Sequence, residues 1–250
     1  PGLLHTQSDT VMDAQALTKR YGSGHTEVLA VNSLNLTVRR GDITLIMGPS
    51  GSGKTSLLLL LGCLMQPTTG TLHFLGTNVT QLAQKQLAAF RLLQLGFVFQ
   101  NFNLLESLSA QENVEIPMHL AGIKSATMRE RSATLLANLG LEKRAKHGPK
   151  QLSGGEKQRV AIARAMALGP SLILADEPTA NLDSKSGQIV MESFQQVARA
   201  ERCSVVIVSH DPRVREISDR ILWLEDGTLH DTSSNGKGIA LDALVPAGVH

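Results

Sequence analysis

The feature that most constrains this chain is the octapeptide Gly48-Pro49-Ser50-Gly51-Ser52-Gly53-Lys54-Thr55, which follows the apolar run at 43–47 and leads into an apolar helical pattern. It fills GxxxxGK[ST], a pattern that carries chemical meaning only between a strand and a helix. Glycines let successive backbone N–H groups converge on phosphate oxygens, and the following helix aims its positive end at the same point. The cradle is read as Gly48 through Ser56, with Lys54 reaching the β- and γ-phosphates and the Thr55 hydroxyl on Mg²⁺. Alone, the loop predicts nucleotide binding and leaves the task open. A glycine-rich turn with a solvated lysine is the bland alternative.

Strands are expected at 43–47, 71–75, 96–99, 171–175, 204–208 and 221–224, with helical patterns between many of them. Nearly continuous apolar strands alternating with helices predict a largely parallel sheet covered on both faces. The stretch 28–38 alternates apolar and polar residues instead, as a half-exposed antiparallel strand does. Residues 101–148 contain no convincing strand and read as a helical insertion broken at Pro117, Gly122 and Gly140. From Asp231 onward the chain is rich in loop formers, which predicts a mobile tail with an apolar stretch able to dock.

Composition narrows the partners. Lys and Arg number 24 against 22 Asp and Glu, far from the basic excess of a phosphate-backbone binder, so nucleic acid is not expected. Cys63 and Cys203 lie in apolar stretches without metal-ligand spacing, which fits a reducing, cytoplasmic setting. The apolar runs at 57–61 and 205–208 fall well short of the roughly 18 residues a membrane span needs, and the first residues lack a secretion signal.

The run Leu172-Ile173-Leu174-Ala175 ends in Asp176 and Glu177, where a strand end of such a sheet lies beside the phosphate loop. Asp176 is expected to hold Mg²⁺ through its water shell, and Glu177 to deprotonate the water that attacks the γ-phosphate. Carboxylates after a strand also commonly cap the next helix. Further back, Leu152-Ser153-Gly154-Gly155-Glu156 opens a helix expected to run to Gly169. Its start is a second place where a phosphate could meet a helix terminus, yet Ser153 and Glu156 also have capping-box spacing and, read alone, mark a well-capped surface helix.

Taken together, these residues resemble the ATP-binding cassette (ABC) ATPases, because the phosphate loop, the signature at 152–156 and the acidic run at 172–183 occur in that family's order over about residues 12–228. The resemblance implies an α/β P-loop NTPase core with a mainly parallel sheet, an antiparallel β subdomain and a helical subdomain. It places one cassette at 12–230, with the helical part at about 101–160 and a tail at 231–250. It implies ATP and Mg²⁺ as cofactors and a head-to-tail homodimer in which Ser153, Gly154, Gly155 and Glu156 of one subunit meet the nucleotide held by the other. Matched one at a time, Tyr21, before the first strand, corresponds to the residue that stacks on adenine. Gln100 corresponds to the glutamine that senses Mg²⁺ and water, Asp183 to the residue that communicates across the dimer, and His210 to the histidine that contacts the γ-phosphate. Without the resemblance, Tyr21 reads as a surface or core tyrosine, Gln100 as a loop residue, Asp183 as a helix N-cap and His210 as structural.

The segments GFVFQNFNLL and ENVEIP further resemble the macrolide-exporter and lipoprotein-release branch, which includes exporters acting with a membrane-fusion protein. That implies an ATPase peripheral to the cytoplasmic face of the inner membrane, bound there to an integral permease subunit. Phe99, Phe102, Leu104 and Leu105 are the candidates for a groove receiving the permease, with ordinary core packing as the alternative for each. A regulatory ATPase that controls a cell-wall hydrolase through a membrane partner shares the same chemistry and stays open at this stage. An ATPase working on DNA or ribosomes is disfavoured, since the chain has no long coiled coil, paired zinc cysteines or second cassette.

Overall fold

Five-residue strands buried along their whole length can exist only where both faces of a sheet are covered, and Ile43–Met47 and Ser204–Val208 are of this kind. The computed structural model describes residues 9–232. Its elements, in chain order, are β1 Thr10–Tyr21, β2 Val28–Arg39, β3 Ile43–Met47, α1 Lys54–Leu61, β4 Thr69–Phe74, β5 Thr77–Asn78, α2 Gln84–Gln94, β6 Leu95–Val98, α3 Ala110–Leu120, α4 Ser125–Asn138, α5 Gly154–Ala165, β7 Leu172–Asp176, α6 Ser184–Glu201, β8 Ser204–Val208, β9 Arg220–Glu225 and β10 Thr228–Asp231. Short 3-10 turns link several of them, including Glu142–Arg144 and Pro212–Ile217.

A six-stranded sheet has the order β10-β9-β3-β8-β7-β6, parallel except for its β9–β10 edge. A four-stranded antiparallel sheet has the order β2-β1-β4-β5. The strand period of two sends alternate residues of the large sheet into two cores. Leu45, Ile173, Val205 and Ile207 join α3 to α6 in one, while Ile46, Leu174, Val206 and Leu222 join α1 and the antiparallel sheet in the other. The phosphate loop therefore sits where the two layers meet, between β3 and α1. No helix among the described residues is long and apolar enough to cross a membrane.

Several expectations need correction. Tyr21 does not precede the first strand; it ends β1. That strand escaped the sequence because Ala16, at φ 47°, bulges it, so its buried residues Val11, Met12, Ala14, Leu17 and Thr18 do not alternate. The strand expected at 71–75 is β4, which pairs with β1 in the antiparallel sheet and not with the parallel strands. Pro117 lies inside α3 without ending it, at the cost of one backbone N–H. Gly122 and Gly140, at φ 72° and 68°, do follow the ends of α3 and α4. Helix α5 stops at Ala165, and turn hydrogen bonds carry the chain on to Gly169. Asp231 belongs to β10, and the rest of the expected tail from 233 lies outside the described residues.

Candidate active site

Gly53 is the N-cap of α1 with φ 99°, and a Cβ there would collide with the carbonyl oxygen of Ala30. Only glycine lets the loop turn this tightly against β2 and present the first amides of α1, which have no intrahelical acceptor. Lys54 Nζ donates to the carbonyl oxygens of Gly48 at 2.9 Å and Pro49 at 2.7 Å, curling over the loop. Burial pushes its ammonium below the usual lysine range, against the opposing charges of Glu177 and Asp176. Burial also pushes the Asp176 carboxyl up, Glu177 adds to this, and Lys54 opposes it.

A cleft of about 460 Å³ gathers these groups: Tyr21, residues 50–56 of the loop, Asp176 and Glu177 all line it. A larger concavity of about 1280 Å³ elsewhere on the surface holds none of the motif residues. Nucleotide and metal fit the smaller cleft on two grounds. Ser52 Oγ is buried and has no hydrogen-bond partner among the described residues, an orphan donor inside the cradle. The Thr55 and Asp176 oxygens line the same space, a donor set suited to a hard cation completed by phosphate oxygens and water. Tyr21 stands at the rim, its hydroxyl 3.2 Å from Ser56 Oγ and 3.0 Å from Met65 Sδ. Lys19 Nζ lies 5.4 Å from the centroid of its ring.

Glu177 has φ 45°, an unfavourable conformation for a residue with a Cβ, and its N–H donates to Val208 O at 2.8 Å. Its carboxylate is held from three directions. Ser209 Oγ donates to Oε2 at 3.0 Å, the His210 N–H reaches the same oxygen at 3.3 Å, and His210 Nδ1 lies 2.9 Å from Oε1. The structure thus brings Glu177 and His210 together beside the loop. Sequence reasoning missed Ser209, whose only signal was its place between β8 and His210. It also missed Thr179 and Asp211, whose side chains bond at 2.9 Å and tie the turn after Glu177 to the turn after His210.

The remaining predicted residues form a different surface. Ser153 is the N-cap of α5 and makes the capping box with Glu156 that its spacing allowed: Glu156 N–H to Ser153 Oγ at 3.2 Å and Ser153 N–H to Glu156 Oε2 at 2.8 Å. Asp183 caps α6, accepting from the Ser186 N–H at 3.0 Å. A Cβ on Gly155 would come within 2.9 Å of Ser186 Cβ, so the starts of α5 and α6 abut closely. Asn181 Nδ2 donates to Gln100 O at 3.2 Å, which adds the loop after β6 to this surface. The Gln100 side chain makes no hydrogen bond among the described residues, and none of Gln100, Ser153, Gly154, Gly155, Glu156, Asp183 or His210 lines the cleft.

Of the groove candidates, Phe99 lines an apolar depression with Phe97, Leu92 and Pro117. Leu104 instead packs against the core, and Leu105 is exposed. Arg164, unremarked in the sequence, donates to the carbonyl oxygens of Phe102 at 2.9 Å and Asn103 at 2.5 Å.

The family profile described as ABC transporter matches residues 31–180. The chain is 43% identical over 233 residues to the macrolide export ATP-binding/permease protein MacB of Hyphomonas neptunium, covering 93% of this chain and 36% of that protein. It is 42% identical over 221 residues to the uncharacterized ABC transporter ATP-binding protein YknY of Bacillus subtilis, covering 88% of this chain and 96% of the relative. It spans about a third of the length of the MacB relatives it matches. Among solved structures, the ATP-binding cassette MJ0796, in a dimeric post-hydrolysis state bound to ADP and Pi, superposes with a TM-score of 0.80 at 38% identity over 89% of this chain and 99% of that one.

Proposed function

This chain belongs to the ABC transporter family as an ATP-binding cassette, and from that premise we propose that it hydrolyses ATP to drive an integral membrane permease of the macrolide-export type. Two copies close head to tail around nucleotide at the cytoplasmic face of the inner membrane, in an assembly that includes a membrane-fusion protein. One cassette spans 12–230.

One observation carries this reading. The phosphate loop, Asp176 and Glu177 line one cleft, with His210 bonded to Glu177 from outside its lining, whereas the start of α5 and Asp183 do not line it. A subunit with half of a phosphate site on each of two surfaces completes it by meeting a second copy. The dimeric, ADP- and Pi-bound state named for MJ0796 supports a pairing of two copies.

Within each half, the loop amides and Lys54 bind the phosphates, and Tyr21 stacks on the base. Thr55 and Asp176, with Gln100 reaching in from the loop after β6, would hold Mg²⁺, whose charge would offset that of the phosphate oxygens. Ser209 and His210 hold the Glu177 carboxylate in one orientation, and Glu177 accepts the proton of the attacking water. Ser153 and Gly155 of the second copy approach the γ-phosphate from the far side. Closure pulls on the permease through the loop after Gln100, and hydrolysis reopens the dimer.

Affinity capture of the tagged Glu177→Gln chain from its native membranes in Mg-ATP tests this function. Recovery of a multi-span membrane protein with a large outer domain supports it. Recovery of only soluble or ribosomal partners overturns it.

A further inference from the structure

The start of α5 carries its own negative charge. Glu156 stands at the third helical position, its side chain only 17% exposed, and accepts the Ser153 N–H. A carboxylate here stabilises the helix by offering an anion to the same amides and the same positive helix end that an incoming phosphate would use. It also repels that phosphate, and repulsion strengthens as an interface closes and water leaves.

A cation from another element answers this charge. Arg144, in the 3-10 turn Glu142–Arg144, donates from Nε to Glu156 Oε1 at 2.9 Å. The turn is pinned, with the Arg144 N–H on Leu141 O and the His147 N–H on Arg144 O, both at 2.9 Å, and Leu141 is fully buried. The two terminal amino groups of Arg144 make no hydrogen bond among the described residues. Helix α3 supplies an internal comparison. It opens with the same box, Ser109 N–H to Glu112 Oε2 at 2.8 Å and Glu112 N–H to Ser109 Oγ at 3.3 Å, and Glu112 has no salt bridge among the described residues. Capping alone therefore does not call for an arginine.

We infer that Arg144 is a positioning residue for the phosphate site shared between subunits: it compensates the charge of Glu156 and holds its carboxylate on the Ser153 N–H, so that the start of α5 can receive the partner's γ-phosphate. This rests on the head-to-tail dimer proposed above. Arg144 is needed because residue 156 is an acid, which separates this role from a merely structural one.

The test measures, by light scattering, the ATP concentration that gives half-maximal dimer in the full chain carrying Glu177→Gln. Adding Arg144→Met should raise that concentration about tenfold, the scale of one like-charge contact in a partly wet interface. Arg144→Lys should fall between the two. With Glu156→Gln also present, Arg144→Met should change it by less than about twofold, as a double-mutant cycle requires of a pairwise effect. No loss with Arg144→Met, or an equal loss in both backgrounds, overturns the inference and leaves the dimer intact. Failure of the Glu177→Gln parent to dimerise at any ATP concentration instead overturns the dimer, and the inference with it.

Discussion

Glu177 and Asp211 occupy neighbouring turns and illustrate different uses of a carboxylate. Glu177 lines the cleft, and its carboxylate is held by Ser209 and His210. Glu177→Gln keeps the shape and loses the basicity, so steady-state phosphate release should fall roughly 10²–10⁴-fold while nucleotide still binds. Near-normal turnover would remove Glu177 from the role of base. Asp211 instead braces the fold: Arg213 Nε and Nη2 grip both its oxygens and the Thr179 hydroxyl donates to one of them. Burial alone would raise its carboxyl, but these contacts outweigh burial and hold it below the usual carboxylate range. The folded chain therefore binds this proton less tightly than the unfolded chain. The stabilisation is complete above the unfolded value of about 4 and is lost as pH falls through the lower folded value. Arg213→Met should lower stability at neutral pH by about 2 kcal/mol and flatten the acid limb of a stability-versus-pH curve. Parallel curves for the two proteins down to low pH would contradict this account.

At the scale of elements, α5 does more than carry the signature at its start. Phe102 and Asn103 sit at φ 61° and 49°, both unfavourable for residues with a Cβ, and Arg164 from the last turn of α5 donates to both of their carbonyl oxygens. The guanidinium is largely buried, and burial pushes it below its usual range. A cation placed there without a carboxylate partner among the described residues is satisfied by backbone carbonyls, and it clamps the loop after Gln100 to the helix that opens at Ser153. Arg164→Met should cost about 2 kcal/mol, or roughly 4–8 °C in Tm for a chain of this size. Amide exchange should accelerate first at residues 100–105. Acceleration confined to the helix, with the loop unchanged, would show that the clamp has been misread.

For the whole molecule, the decisive arrangement is the separation of two surfaces on one chain. The cleft between the sheets gathers the loop, Tyr21, Asp176 and Glu177, while the starts of α5 and α6 pack against each other and turn a joint surface outward. Ser153→Arg puts a bulky cation at that outward surface, where Ser153 is exposed. In the Glu177→Gln background it should leave nucleotide binding unaltered and abolish ATP-dependent dimer formation in light scattering. Dimerisation equal to that of the parent would argue against the shared site.

Local chemistry determined much of this in advance. The phosphate loop, the acidic end of β7, the capping box at Ser153 and Glu156 and the buried strands β3 and β8 were legible because each depends on residues close together in the chain. What is assembled from distant segments was not. The bulge at Ala16 hides β1 from any test of alternation, and β4 reads like a parallel strand until its pairing with β1 is known. The contacts of Arg144 with Glu156, Arg164 with the loop after Gln100, and Thr179 with Asp211 each join residues 12 to 62 positions apart. Sequence carries the residue types, but only the packing of β7 beside β8 and of α5 beside the 3-10 turn at 142–144 decides which charges meet.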